Sequence, residues 1–69
     1  MLISKIGEII KQSPYNRGYI KKYMGEISDN TLSNWCTGKV YPRTPDLFKL
    51  AKLLKVKVDD LYEWEDESL

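Results

Sequence analysis

The stretch TPDLFKLAKLL, residues 44–54, constrains the fold more than any other part of the chain. Thr44-Pro45-Asp46 marks a helix start: a capping hydroxyl, proline in the first turn, then an acid facing the positive end of the helix dipole. Leu47, Phe48, Leu50, Ala51, Leu53 and Leu54 make the helix that follows apolar over a wide arc. A helix apolar on so many sides is predicted to be the central one, with the remaining elements packed around it. That packing has to supply the stability. The chain has 69 residues and one cysteine, Cys36, so no intramolecular disulfide can staple it. The cysteine usage, the lack of a leader-like N-terminus and the lack of a membrane-length apolar run predict a cytoplasmic, membrane-free protein.

Local signals divide the rest of the chain. Leu2, Ile3, Ile6, Ile9 and Ile10 recur at helical spacing, which predicts a helix from about Leu2 to Lys11. Ser13-Pro14 ends it, because proline pushes the residue before it out of the helical region. A second helix is predicted from Arg17 to Met24, with Asn16 as N-cap and Tyr15 and Ile20 at hydrophobic-staple spacing. Gly18 weakens this helix by about 1 kcal/mol relative to alanine, and Gly25 can end it in the left-handed conformation. Lys39 to Arg43 reads as a loop. Lys55-Val56-Lys57 interrupts the apolar pattern after the central helix, and Asp59 to Trp64 reads as a short final helix with its acids at the N-terminal end. The fold class expected is all-α, a compact bundle of five helices over residues 1–64, followed by an acidic tail at 65–69.

Between the second and the central helix lies ISDNTLSNWCTGKVYP, residues 27–42. Ser28 is a good N-cap and Gly38 is placed to terminate, so a helix over 29–37 is predicted. At about 100° per residue, Thr31, Leu32, Trp35 and Cys36 gather on one side, while Asp29, Asn30, Ser33, Asn34 and Thr37 gather on the other. The first group is core material. The second is unusual, because a solvent helix ordinarily carries Glu and Lys, and asparagine and serine are mediocre helix formers.

Charge adds a second asymmetry. Residues 1–58 hold all 11 Lys and Arg against four acids, a net of +7, whereas residues 59–69 hold six acids and no base. A basic body suits a polyanion such as nucleic acid; plain solubility is the alternative.

Residues 27–62, ISDNTLSNWCTGKVYPRTPDLFKLAKLLKVKVDDLY, resemble the Cro and lambda-repressor-like (XRE) helix-turn-helix family. They follow its usual order of apolar-Ser, Thr-apolar-Ser, a Gly-Lys ending, a proline loop, Leu-x-x-Leu-Ala-x-x-Leu-x-Val and Asp-acid-Leu. The resemblance implies that the second helix crosses the DNA backbone and that the helix over 29–37 lies in the major groove. Asparagine pairs bidentately with adenine, serine bonds to several bases, and short side chains allow close approach. The base-contact candidates are therefore Asp29, Asn30, Ser33, Asn34 and Thr37. For Asp29 the competing reading is a first-turn acid that stabilises any helix and is repelled by phosphates.

The phosphate-contact candidates are Arg17, Lys21, Lys22, Ser28, Lys39, Tyr41 and Arg43. Arg17 stands where the family typically places a glutamine against the DNA backbone. Lys49, Lys52 and Lys55 read as solvated surface, Trp35 as core and Cys36 as a buried small residue. Three positions depart from the family pattern. Either Lys21 or Ile20 falls where a small residue packs against the recognition helix, the turn GEIS is one residue longer than the common turn, and Lys57 replaces a common capping serine.

Tyr62, Trp64 and Leu69 sit beside the acidic tail and are candidates for a two-fold dimer contact; a tail folded on its own core is the alternative. The function implied is a sequence-specific DNA-binding regulator, a repressor of phage or mobile-element type, with double-stranded DNA as partner. The rival readings are a protein-interaction module working through the acidic C-terminus and an antitoxin. No cofactor, metal or enzymatic activity is expected: the chain has no histidine, no Gly-rich phosphate loop and no Cys/His/acid cluster with metal spacing.

Overall fold

The computed structural model describes residues 1–66. In chain order the elements are strand β1 (Leu2–Ser4), helices α1 (Ile6–Gln12), α2 (Arg17–Tyr23), α3 (Asp29–Thr37) and α4 (Thr44–Leu54), a single 3-10 turn (Val58–Leu61) and strand β2 (Tyr62–Trp64). The fold is mostly helical, but it is neither all-α nor a five-helix bundle: among the described residues there are four α-helices and a two-stranded sheet.

Both corrections fall at the chain ends. The expected helix from Leu2 starts only at Ile6, and the expected helix over Asp59 to Trp64 is one 3-10 turn followed by extended chain. The two extended pieces pair antiparallel, with Leu2 opposite Trp64, Ile3 opposite Glu63 and Ser4 opposite Tyr62. The ladder runs one pair further, because the Glu65 N–H donates to the Met1 carbonyl at 2.7 Å and the Met1 ammonium donates to the Glu65 carbonyl at 2.6 Å. The first residue of the expected tail is thus tied to the N-terminus; residues 67–69, Leu69 included, lie outside the described residues. A helix through Leu2 to Ser4 would have left Glu63 and Glu65 without backbone partners on that side. The pairing satisfies both ends at once.

Ser4 joins this ribbon to the helices. Its hydroxyl donates to the Trp35 carbonyl at 2.7 Å, inside α3, and accepts from the Ile6 N–H at 3.3 Å at the start of α1. The Lys5 N–H donates to the Leu61 carbonyl at 2.8 Å, closing the entry to α1 against the 3-10 turn.

The core gathers Ile6, Ile10, Ile20, Met24, Leu32, Trp35, Leu50, Ala51, Leu53, Leu54 and Leu61. Every α-helix contributes, and α4 contributes most, as its wide apolar arc predicts. Phe48 is the exception on that arc, being 61 % exposed. Helix α4 also begins one residue earlier than expected. Arg43 takes the cap position and Thr44 enters the first turn, so no hydroxyl caps this helix. Its far end turns at Lys55, which adopts a left-handed φ of 59°.

Candidate nucleic-acid interface

Local chemistry sets the two helices that form the candidate interface. The Asn16 side chain accepts from the Tyr19 N–H at 2.8 Å and starts α2; the Ser28 hydroxyl accepts from the Thr31 N–H at 3.0 Å and starts α3. Each cap satisfies an amide that the helix itself cannot. Gly38, at φ 82°, ends α3. Between them, Gly25 at φ 92° and Glu26 at φ 60° take up the extra residue of the turn with two successive left-handed conformations. The Ile27 N–H returns to the Lys21 carbonyl at 3.2 Å and seals that turn.

Helix α3 is braced from inside. Leu32 is wholly enclosed and Trp35 nearly so. Helix α1 runs close against α3: a Cβ on Gly7 would lie 3.4 Å from the Cys36 Cβ, in van der Waals contact with it. Cys36 is half-buried rather than buried. The ambiguity in α2 is resolved by burial: Ile20 is fully enclosed and packs inward, while Lys21 points outward.

On the outer side, Asp29, Asn30 and Thr37 are exposed, and Ser33 and Asn34 are half-buried. Among the described residues, neither Asn30 nor Asn34 uses its side-chain amide in a protein hydrogen bond. Thr37 donates its hydroxyl proton to the Asn34 carbonyl at 3.3 Å, keeping acceptor capacity only. The remaining two are engaged by α2. Arg17 Nη2 lies 2.8 Å from Ser33 Oγ and 3.3 Å from Asp29 Oδ1, and Lys21 Nζ lies 3.5 Å from the same carboxylate oxygen. The Arg17 hydrogen bond and charge, followed by the charge of Lys21, hold the Asp29 carboxyl below its ordinary value.

The other basic candidates differ in how far they are engaged. Lys22, Lys39 and Arg43 are exposed and make no ion pair among the described residues, whereas Arg17 and Lys21 are drawn together on Asp29. Ser28 turns its hydroxyl to its own helix, 2.9 Å from Thr31 Oγ1. Tyr41 follows α3 and rests edge-on against Tyr62, with ring centroids 5.6 Å apart. Lys49, read from sequence as plain surface, sits 5.3 Å over the Tyr23 ring; Lys52 and Lys55 are exposed.

Of the three residues expected at a dimer contact, Trp64 is 68 % exposed beside its cross-strand partner Leu2. Tyr62 is covered by Tyr41, and its buried hydroxyl lies near Ser4 without forming a hydrogen bond of good geometry; that burial pushes its pKa up. Leu2 reads from sequence as the start of the first helix and not as a contact residue; its apolar side chain fits a helical period as well as a strand.

Two capped helices joined by a tight turn, the second with the amides of Asn30 and Asn34 uncommitted, have the form of a helix-turn-helix unit. The helix-turn-helix family pattern matches residues 15–61. The chain belongs to the Cro and lambda-repressor-like (XRE) helix-turn-helix family, a family of DNA-binding regulators. No curated protein matches the chain closely enough to count as a relative. Among the described residues no helix is long and apolar enough to cross a membrane.

Proposed function

We propose that the protein is a sequence-specific regulator of transcription, a repressor of phage or mobile-element type, that reads the major groove with α3. One observation carries this reading: the amides of Asn30 and Asn34 stand on the outer side of a helix pinned by Leu32 and Trp35, and neither is spent on the protein itself. An uncommitted amide held on a rigid helix can pair bidentately with adenine. Lys22, Ser28, Lys39, Tyr41 and Arg43 contact phosphates on either side and set the register. Such a protein works in the cytoplasm, where its DNA is.

A second reading has one observation in its favour, the exposed apolar pair Leu2 and Trp64 at the acidic end. A surface of this kind suits a second copy or a toxin-like protein partner. A symmetric pair of copies would bind half-sites about one helical turn apart.

Selection of bound duplexes from a random library, with the mass of the complex measured alongside, tests both. Asn34→Ala is expected to lose discrimination among sites. Arg43→Ala is expected to weaken all sites alike and to lower the salt slope by about 0.9 for the phosphate lost. No binding to any duplex at low salt, with a stable complex to another protein, would establish the interaction module instead.

A further inference from the structure

Arg17 opens α2, yet its guanidinium lies along α3. It reaches Asp29 at 3.3 Å and Ser33 at 2.8 Å through Nη2, and Cys36 Sγ at 3.9 Å through Nη1. These three residues are spaced four and then three apart, so one planar group touches successive turns on a single edge of the reading helix. Lys21, one turn further along α2, reaches the same Asp29 oxygen at 3.5 Å.

Three consequences follow for reading DNA. The brace lies along the flank of α3 that faces α2, about a quarter turn from the apolar anchor of Leu32 and Trp35, so α3 is held at a second line of contact across a turn with two left-handed residues. Asp29 accepts from two cations at Oδ1, which offsets its repulsion from phosphates and leaves Oδ2 as its uncommitted oxygen. Ser33 Oγ accepts from Arg17, so its own proton points away from the guanidinium. A free serine hydroxyl is ambiguous; here Arg17 takes one of its two lone pairs, which favours the donor role over the acceptor one. In the major groove a donor finds guanine O6 or N7, adenine N7 or thymine O4, and is refused by the cytosine amino group.

We infer that Arg17 is a specificity-determining positioning residue. Through Asp29 and Ser33 it locks the seating of α3 and favours the Ser33 hydroxyl as a donor to a base acceptor, with Asp29 as its counter-ion. The lowered pKa of Asp29 accords with this arrangement. The inference rests on α3 being the helix that enters the major groove.

The test takes the duplex selected by the full chain and all its single-base-pair variants, and measures affinity at several salt concentrations. Arg17→Ala, Asp29→Ala, the double variant and Ser33→Ala are compared, with thermal unfolding as the folding control. Arg17→Met keeps the aliphatic stem and replaces Arg17→Ala if the latter is unfolded. The expected result is that the Arg17 variant flattens discrimination at the same base pair as Ser33→Ala, by about five- to tenfold, the lower end of what one base contact supplies. Its salt slope stays that of wild type, because Arg17 touches no phosphate. The double variant discriminates no worse than the Arg17 variant alone.

Two outcomes overturn the inference while leaving the DNA-binding reading intact. One is an Arg17 variant that binds every duplex uniformly more weakly, with a slope lower by about 0.9, which is the behaviour of a phosphate contact. The other is an Asp29→Ala effect confined to its own base pair and additive with the Arg17 effect. Wild-type protein that binds no duplex at low salt overturns the DNA-binding reading, and this inference with it.

Discussion

The α2–α3 unit and the β1–β2 ribbon meet at Trp35, whose side chain anchors α3 and whose carbonyl accepts from Ser4 of the ribbon. They are held by different means. Helices α2 and α3 each start at a side-chain cap, are joined by a short sealed turn, and bury Ile20 and Leu32 completely. The ribbon has three paired residues on each strand, and the pair Leu2 and Trp64 is exposed on both members. One unit is built from contacts near in sequence and buried; the other from contacts distant in sequence and half in water. The difference teaches where rigidity is placed: the helix with uncommitted amides sits on the well-anchored unit, while the ribbon closes the chain ends over it.

The largest expected effect is on the anchored side. Leu32→Ala removes a fully enclosed side chain and is expected to cost about 2–5 kcal/mol, read as a lower midpoint in thermal or denaturant unfolding. Trp64→Ala in the ribbon is expected to change stability by no more than about 0.5 kcal/mol, because most of that ring is already in water. Equal losses in the two variants would reverse the comparison and make the ribbon the cooperative centre.

Ser28→Ala comes next. Loss of the hydroxyl that caps α3 is expected to cost about 1 kcal/mol in the same measurement. An unchanged midpoint would mean that tertiary packing alone positions the start of α3. Tyr62→Phe is expected to be neutral or stabilising by up to about 1 kcal/mol, since it removes a buried hydroxyl that has no partner. A clear destabilisation would show that this hydroxyl supports the ribbon.

The smallest effect is electrostatic. The Asp29 carboxyl titrates below 3.8 in the folded protein, so its bridge to Arg17 contributes in full above that value. The contribution is lost as pH falls through the lowered folded value. Carboxyl-carbon chemical shifts followed through acid titration are expected to show the lowered midpoint, and Arg17→Ala is expected to return it toward 3.8. A midpoint indifferent to Arg17 would mean that the bridge does not hold in solution.

How far each region was legible follows from the same contrast. Asn16, Ser28, Gly25 and Gly38 act on amides and carbonyls a few residues away, so the limits of α3 were readable residue by residue. The outward set Asp29, Asn30, Ser33, Asn34 and Thr37 was readable from helical period alone. What each of those side chains touches was not. Arg17 and Ser33 are 16 residues apart, and their meeting depends on how α2 and α3 cross. The ribbon was misread because Leu2, Ile3 and Ile6 satisfy a helical period while the partners that make β1 a strand arrive at the far end of the chain. Met1 and Glu65, its outermost hydrogen-bonded pair, are 64 residues apart.

By itself the sequence determined the helix-turn-helix unit, the central place of α4 and the presence of short amides on an exposed helix. Caps, glycine turns and apolar period are local properties, and local properties survive without knowledge of the fold. Only the tertiary structure decided that the ends pair as strands, that Ile20 rather than Lys21 packs inward, and that Arg17 is spent on Asp29 and Ser33. Each of those is a choice between partners distant in the chain, and the energy that makes the choice exists only once the core has brought them within hydrogen-bond reach.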